Sequence, residues 1–130
     1  MSRHDVGIGK TVLGAFDAVI ARTEAALKDQ GFGILTRIDV KATLKEKLGV
    51  DVVPQVILGA CNPAIAHRAL EIEPRIALLL PCNVVVRQEG AAVRVEAIEP
   101  HAMTEMFPEK DLASVANEAS ERLKKAIAAV

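Results

Sequence analysis

Residues 55–70 read QVILGACNPAIAHRAL, and the character of the chain changes in the middle of this stretch. The first six residues form an apolar run of strand length. Asn62 is a favoured N-cap residue and Pro63 a favoured first residue of a helix, so Cys61 falls at the boundary between the two patterns. The stretch therefore predicts a strand that passes directly into a helix.

Upstream of this stretch, the pattern predicts helix, strand and helix in turn. Apolar residues recur at helical spacing from Thr11 to Gln30, and Gly31 supplies a C-terminal cap. The segment FGILTRIDV (32–40) is short and β-branched, as strands are. Asp39 is predicted to cap a brief second helix that stops at Gly49.

Downstream, Pro74 predicts the end of the central helix at about Glu73. The run RIALLLPCNVVVR (75–87) is apolar on both faces and is predicted as a long central strand. A hairpin turn then leads into the alternating segment AVRVEAI (92–98), and a last amphipathic helix follows Pro108.

These elements predict an α+β fold, a two-layer sandwich with a mixed β-sheet and helices packed mainly on one face. The strand, helix, strand order suggests a crossover between parallel neighbours. A chain of 130 residues fits one domain, 1–130. If the second sheet face is apolar it needs a cover, and a homodimer is the simplest one.

Composition excludes several classes of partner. A net charge of -1 gives no global field for nucleic acid, and an aromatic content of 2% offers few stacking platforms for bases. The longest apolar runs are too short to cross a membrane, and the first ten residues lack an apolar signal segment. We therefore expect a cytoplasmic protein with no nucleic-acid or membrane partner, whose cysteines Cys61 and Cys82 are free thiols.

The segment GIGKT (7–11) resembles the end of a phosphate-binding loop, in which Gly-Lys-Thr opens a helix. The complete pattern also requires an earlier glycine and a preceding buried strand, and the sequence supplies neither. A short strand that enters the first helix is the preferred prediction.

Cys61 is the first candidate for a reactive group. The positive end of the following helix would favour its thiolate, although a small buried side chain at a tight turn is the commoner fate of a cysteine. His67 lies four positions after Pro63 and is expected to point away from Cys61, which makes a direct dyad doubtful.

Cys82 repeats the Cys-Asn pair, and it would approach Cys61 if the two strands were parallel neighbours with aligned ends. The spacing does not predict a metal site, because there is no Cys-x-x-Cys and the residues His101, Met103 and Met106 are scattered. No metal and no cofactor is expected. The paired glutamates of the sequence are expected to be ordinary solvated charges; they are Glu71 with Glu73 and Glu96 with Glu99.

The chain resembles the bacterial and archaeal family called domain of unknown function 302. The matching pieces are ALKDQGFGILTRIDVKATLKEKLGVD, ILGACNPAIAHRAL, LLLPCNVVV and AIEPHAM, which follow one another in order from about Ala26 to Met103. The resemblance implies a compact α+β domain that tends to dimerise and has no established activity. It implies recurrent polar positions at Asp39, Cys61, Asn62, Pro63, His67, Pro81, Cys82 and Asn83. This chain has Ala64 and Ile65 where the family usually has a second proline and a bulky residue.

Two functions remain open at this stage. The favoured one is a non-catalytic dimeric module that binds a small ligand or a protein partner beside the helix start, with Asp39, Asn62, Pro63 and Asn83 as candidate binding residues. The alternative is a thiol-dependent enzyme or redox sensor. In it Cys61 is the nucleophile, Cys82 the resolving thiol, and His67 or His101 the base.

Overall fold

The structure is a computed structural model that describes residues 5–130. Residues 1–4 lie outside this range. They belong to the N-terminal stretch in which the sequence predicts no signal segment. Within residues 5–130, five strands and five α-helices follow one another, with a 3₁₀ helix at Pro74–Leu79 between α3 and β4. In chain order they are β1 (Gly7–Val12), α1 (Phe16–Asp29), β2 (Gly33–Asp39), α2 (Val40–Leu48), β3 (Gln55–Cys61), α3 (Pro63–Ile72), β4 (Cys82–Glu89), β5 (Ala92–Ile98), α4 (Pro100–Thr104) and α5 (Ala113–Ala128).

The five strands form one sheet in the order β1-β5-β4-β3-β2. Each neighbouring pair in this sheet is antiparallel. The α+β class is confirmed, but the prediction of a mixed sheet with a parallel crossover was wrong. The chain reverses direction within α3 and the 3₁₀ helix, so β4 returns alongside β3 in the opposite direction.

The main core lies between one face of the sheet and the helices α1 and α5. Alternation along β5 shows this clearly, because Val93 and Val95 are buried while Arg94 and Glu96 on the other face are half-buried. Burial of these aliphatic side chains is the main favourable contribution to folding, about 1.5–3 kcal/mol for each large one. The other core residues come from β3, β4 and the two helices; they include Leu58, Val84, Val86, Val19, Leu27 and Leu123.

The segment GIGKT belongs to β1, and α1 begins at Phe16 rather than at Thr11. The side chains of Glu96 and Arg94, on the neighbouring strand, lie over Gly7 and Gly9, and they would have to move aside to admit a Cβ at either position. Lys10 donates from Nζ to the backbone oxygens of Ala128 and Val130 at 2.9 and 2.7 Å, so it binds the C-terminal end of α5. This lysine has a structural partner, which agrees with a strand rather than a phosphate loop.

β2 and α2 form an unusually exposed unit at one end of the sheet order. No residue from 33 to 53 is buried, and the register of β2 against β3 shifts between Ile34 and Thr36, which marks a bulge at Leu35. The predicted cap is confirmed, because the Asp39 carboxylate accepts a hydrogen bond from Ala42 N at 2.9 Å. The predicted stop is confirmed too, since Gly49 has a left-handed φ of 70°.

The run 75–87, predicted as one long strand, is divided in the structure. Its first part forms the 3₁₀ helix, a cis bond joins Leu80 to Pro81, and β4 starts only at Cys82. The Glu73 carboxylate accepts a hydrogen bond from Arg75 N at 2.9 Å and so caps the 3₁₀ helix. A second apolar cluster joins this helix to α3 and α5 through Ile65, Ala69, Ile76, Leu112, Val115 and Ala119.

Candidate functional site

A cavity of about 50 Å³ lies between the two apolar clusters, beside the start of α3. The end of β3, the start of β4, and the helices α3, α4 and α5 all contribute to its wall. The side chains around it are almost all apolar, and the lining includes both cysteines of the chain. The lining residues include Cys61, Asn62, Ala69, Cys82, Met103 and Ala119.

The junction of β3 and α3 holds the cavity's edge in place. Asn62 accepts a hydrogen bond from Ile65 N through Oδ1 at 3.2 Å, and Pro63 is the first residue of α3, so the predicted helix start is confirmed. Asn62 Nδ2 lies 2.9 Å from the position that a Cβ would occupy at Gly31, and the φ of 84° at Gly31 independently favours glycine. Asn62 therefore positions the helix start while it also lines the cavity.

Cys61 and Cys82 meet at this edge of the sheet, although the strands run antiparallel. Ala60 is paired with Cys82 in the β3–β4 ladder, so Cys61 is the residue immediately beyond that pair. Burial, together with the nearby Cys61 thiol, raises the pKa of Cys82 to about 11. The Cys82 thiol is therefore protonated at neutral pH, which makes it a poor nucleophile or resolving group.

The histidines are not placed to act as bases for Cys61. His67 is exposed on α3, and its Nε2 lies 3.6 Å from the carboxylate of Glu71. The imidazole of His101 is bound to Glu99 and Asn117. The thiol-dependent alternative, with Cys61, Cys82 and a histidine base acting together, finds no support in this arrangement.

The structure does not bring Asp39 or Asn83 to the cavity. Asp39 caps α2, at the opposite end of β3 from Cys61. Asn83 is exposed and lies opposite Gly59 in the ladder, next to Cys82 but on the alternate face of the sheet. Of the four candidate binding residues, only Asn62 is part of the lining, and Pro63 adjoins it.

The sequence analysis did not predict a buried polar cluster that joins the start of α4 to α5. Glu99 is only 5% exposed and accepts hydrogen bonds from Ser120 Oγ at 2.8 Å and His101 N at 2.9 Å. The imidazole of His101 lies 3.2 Å from Glu99 through Nδ1 and 2.7 Å from Asn117 Oδ1 through Nε2. The expectation that Glu99 is a solvated charge was wrong, and so was the same expectation for the buried, capping Glu73.

In this cluster the charged forms of Glu99 and His101 stabilise each other. Burial alone would raise the pKa of Glu99, but hydrogen bonds from His101 and Ser120 outweigh it and lower that pKa below 4.5. Burial alone would lower the pKa of His101, but the bonds to Asn117 and Glu99 raise it above 6.5. The repeated Glu-Pro dipeptide, at 73–74 and 99–100, was the available signal, because Pro in the first turn marks the preceding residue as an N-cap.

Within residues 5–130, no three His, Cys, Asp or Glu side chains converge as a metal-binding group. In the same part of the chain, every helix is too short or too polar to span a bilayer. The surroundings of the cavity are thus apolar groups, two thiols and a few hydrogen-bonding side chains.

Comparison with known proteins places the chain in a defined family. The chain matches the family "Domain of unknown function DUF302" over residues 8–130. It is similar to the crystal structure of an uncharacterised conserved DUF302 protein from Bacillus stearothermophilus, with 32% sequence identity and a TM-score of 0.86. That match covers 95% of this chain and 96% of the other. No curated protein matches the chain. The chain therefore belongs to the DUF302 family.

Proposed function

We propose that the protein is a non-catalytic module that binds a small apolar ligand in the cavity beside the start of α3. The observation that carries the proposal is the cavity itself, an apolar space of about 50 Å³ between two well-packed clusters. Protein interiors normally close such spaces, because each unfilled methyl-sized void costs about 1 kcal/mol. A mostly apolar space with a few polar groups at its edge is the common form of a small-ligand site.

The size of the cavity limits the ligand to a few heavy atoms, or to the apolar end of a longer molecule. Drug-sized ligands occupy about 300–1,000 Å³, several times more than this cavity offers. Met103 contributes an unbranched, flexible side chain to the wall and can adapt to ligands of different shape. The ligand is therefore expected to bind through shape and apolar contact, with Asn62 at the edge.

Xenon is a suitable probe, because it enters small apolar cavities without needing polar partners. We expect xenon to shift the amide and methyl NMR signals of residues around the cavity, and Ala69→Leu to abolish those shifts. Ala69 is 7% exposed and lines the cavity, so the larger side chain fills it. Ala64→Leu is the matched control, because Ala64 is an exposed residue of the same helix. Equal xenon shifts in wild type and Ala69→Leu would refute the proposal.

The proposed module is a homodimer in the cytoplasm, and the unit of β2 and α2 is the proposed contact surface. Five large apolar side chains between 35 and 53 are 43–69% exposed; they are Leu35, Ile38, Leu48, Val50 and Val53, here called the β2–α2 surface. None of the residues of α2 is buried within the chain. Because short helices are stabilised mainly by packing, contact with a second chain would stabilise α2. Two free thiols agree with a reducing compartment.

Light scattering coupled to size-exclusion chromatography tests the dimer. We expect the wild type to elute with twice the chain mass of 13.9 kDa and Leu48→Glu to elute as a monomer at micromolar concentration. A buried interface charge without a partner costs several kcal/mol, enough to dissociate a dimer of ordinary affinity. Leu78→Glu is the control, because Leu78 is 75% exposed on the 3₁₀ helix and does not belong to the β2–α2 surface. A wild-type monomer, or equal dissociation by both variants, would exclude this surface.

A further inference from the structure

A groove of about 330 Å³ lies directly outside the cavity, at the end of the sheet where β4 starts. Leu80 and Met103 line both the cavity and the groove, so the side chains of these two residues form the wall between the two spaces. The volume of the groove lies in the range of small-molecule sites, about 300–1,000 Å³. The lining residues of the groove are the polar Asn83 and the apolar Leu78, Leu79, Leu80, Pro81, Ile98 and Met103.

From this arrangement we infer that the ligand is a linear aliphatic molecule with an uncharged hydrogen-bonding head group, as in a primary alcohol. The tail of this ligand fills the cavity, and its head lies in the groove at Asn83. This ligand class rests on the proposed function, because the tail occupies the cavity that the function requires.

The wall between the two spaces can open through side-chain motion alone. Met103 is unbranched, so a change of rotamer moves its thioether while the backbone of α4 stays in place. Leu80 is half-buried and lies just after the 3₁₀ helix. A chain that is one methylene wide needs only a narrow opening between these side chains, which favours a linear ligand over a ring.

The passage from the cavity to the groove is short. Cys82 lines the cavity and Asn83 lines the groove, and these consecutive residues of β4 point to opposite faces of the sheet. Their Cα atoms are about 3.8 Å apart. A chain of a few carbon atoms therefore reaches from the cavity, past the end of the strand, to the Asn83 amide.

The two spaces differ in polarity, and this difference orients the ligand. The cavity wall is almost entirely apolar, and burial raises the pKa of the Cys82 thiol in it to about 11, so that group is uncharged. Asn83 is exposed, and its side-chain amide both donates and accepts hydrogen bonds. Leu78 is 75% exposed beside the groove, so an aliphatic segment that lies there covers apolar surface.

The charges nearest to the groove do not favour a charged head group. Arg87 and Glu96 line the next hollow along the sheet, which also includes Asn83, and their charges are of opposite sign. Each also has a partner of its own: Arg87 Nη2 lies 2.7 Å from the carboxylate of Glu89, and Glu96 lies 3.9 Å from Arg94. A hydroxyl head is therefore matched by the Asn83 amide, whereas a carboxylate or an ammonium group finds no unpaired counter-charge.

The test is a titration of the full chain with n-butanol, n-pentanol and n-hexanol, followed by NMR shifts of residues around the cavity and the groove. We expect the affinity of the wild type to increase about fourfold with each added methylene, because the longer tail extends into the cavity. This increase should be absent in Ala69→Leu, in which the cavity is filled. Hexanoate and hexylammonium should bind the wild type at least tenfold more weakly than n-hexanol.

The head group is tested with Asn83→Ala. This variant should lower the affinity for n-hexanol about tenfold and leave the xenon shifts unchanged, because it removes the partner of the hydroxyl and does not alter the cavity. Thr36→Ala is the matched control and should bind as the wild type does. Thr36 is also exposed and polar, and it lies in the same row across the sheet, with Gly59 between it and Asn83.

The outcomes distinguish this ligand class from the proposed function. Equal affinity for the three alcohols, in a wild type that still takes up xenon, would exclude the tail from the cavity and leave the proposed function standing. Equal n-hexanol affinity in Asn83→Ala and the wild type would exclude Asn83 as the partner of the head. Tighter binding of hexanoate or hexylammonium than of n-hexanol would overturn the uncharged head group. A wild type without xenon shifts would overturn both the ligand class and the proposed function.

Discussion

Replacement of Glu99 by leucine is expected to lower the free energy of unfolding by about 3 kcal/mol, measured by urea denaturation. The variant removes the N-cap of α4 and leaves the buried hydroxyl of Ser120 without its acceptor. His101 also loses its carboxylate, but its side chain is 21% exposed and can turn towards water. The loss is therefore expected at the lower end of the range for broken buried ion pairs.

The cost of Glu99→Leu is expected to depend on pH. The pKa of Glu99 is lowered from 4.5, so its contribution to stability is complete above 4.5 and is lost as pH falls through the lowered value. The pKa of His101 is raised from 6.5, so its contribution is complete below 6.5 and is lost as pH rises through the raised value. The difference in the free energy of unfolding between wild type and Glu99→Leu should therefore be largest between about pH 4.5 and 6.5.

Glu96→Leu is the control for this experiment. Glu96 also belongs to the β5 region, but its side chain is 36% exposed and lies 3.9 Å from Arg94. Exposed pairs contribute at most about 1 kcal/mol, so this variant should lose little stability and show no maximum between these pH values. Equal losses in the two variants would contradict the buried cluster.

Leu58→Ala is expected to destabilise the protein by about 3–5 kcal/mol, measured by chemical denaturation. Leu58 is 0% exposed and lies at the centre of β3. It belongs to the core between the sheet and the helices α1 and α5. Truncation removes its apolar contacts and leaves a cavity that the neighbouring Val84 cannot close, since both belong to hydrogen-bonded strands.

Ile57→Ala is the matched control, because Ile57 is the neighbouring residue on the opposite face and is only half-buried. In a monomer its truncation should cost about 1–2 kcal/mol, less than the fully buried position. A cost equal to that of Leu58→Ala, increasing with protein concentration, would show that a second chain covers this face. A cost greater than that of Leu58→Ala at every concentration would contradict the assignment of faces.

Local signals in the sequence predicted the elements that have caps. Asp39 and Gly49 bracket α2, and Asn62 with Pro63 starts α3, as expected. These positions are predictable because a cap is an interaction within three or four residues of sequence. The apolar stripe of the last helix was also confirmed, from Leu112 to Ile127.

The sequence did not reveal how the strands join. Pro81, in the middle of the apolar run, was the available signal against one long strand, because proline cannot donate to a strand ladder; the residues before it form a 3₁₀ helix. The helix between β3 and β4 packs against α5, a contact between segments some fifty residues apart that local patterns do not reveal. The approach of Cys61 to Cys82 was predicted for parallel strands, and antiparallel pairing produced it for a different reason.

The bulge at Leu35 has a consequence for how copies of the chain associate. A regular edge strand offers a continuous row of backbone donors and acceptors on which further chains can stack into fibrils. The bulge interrupts that row in β2, so only Thr36 to Asp39 remain in regular register. Cross-β stacks are built from segments of about six or seven residues, which is longer than this regular part of β2. The bulge therefore disfavours the strand-by-strand addition of further chains at this edge.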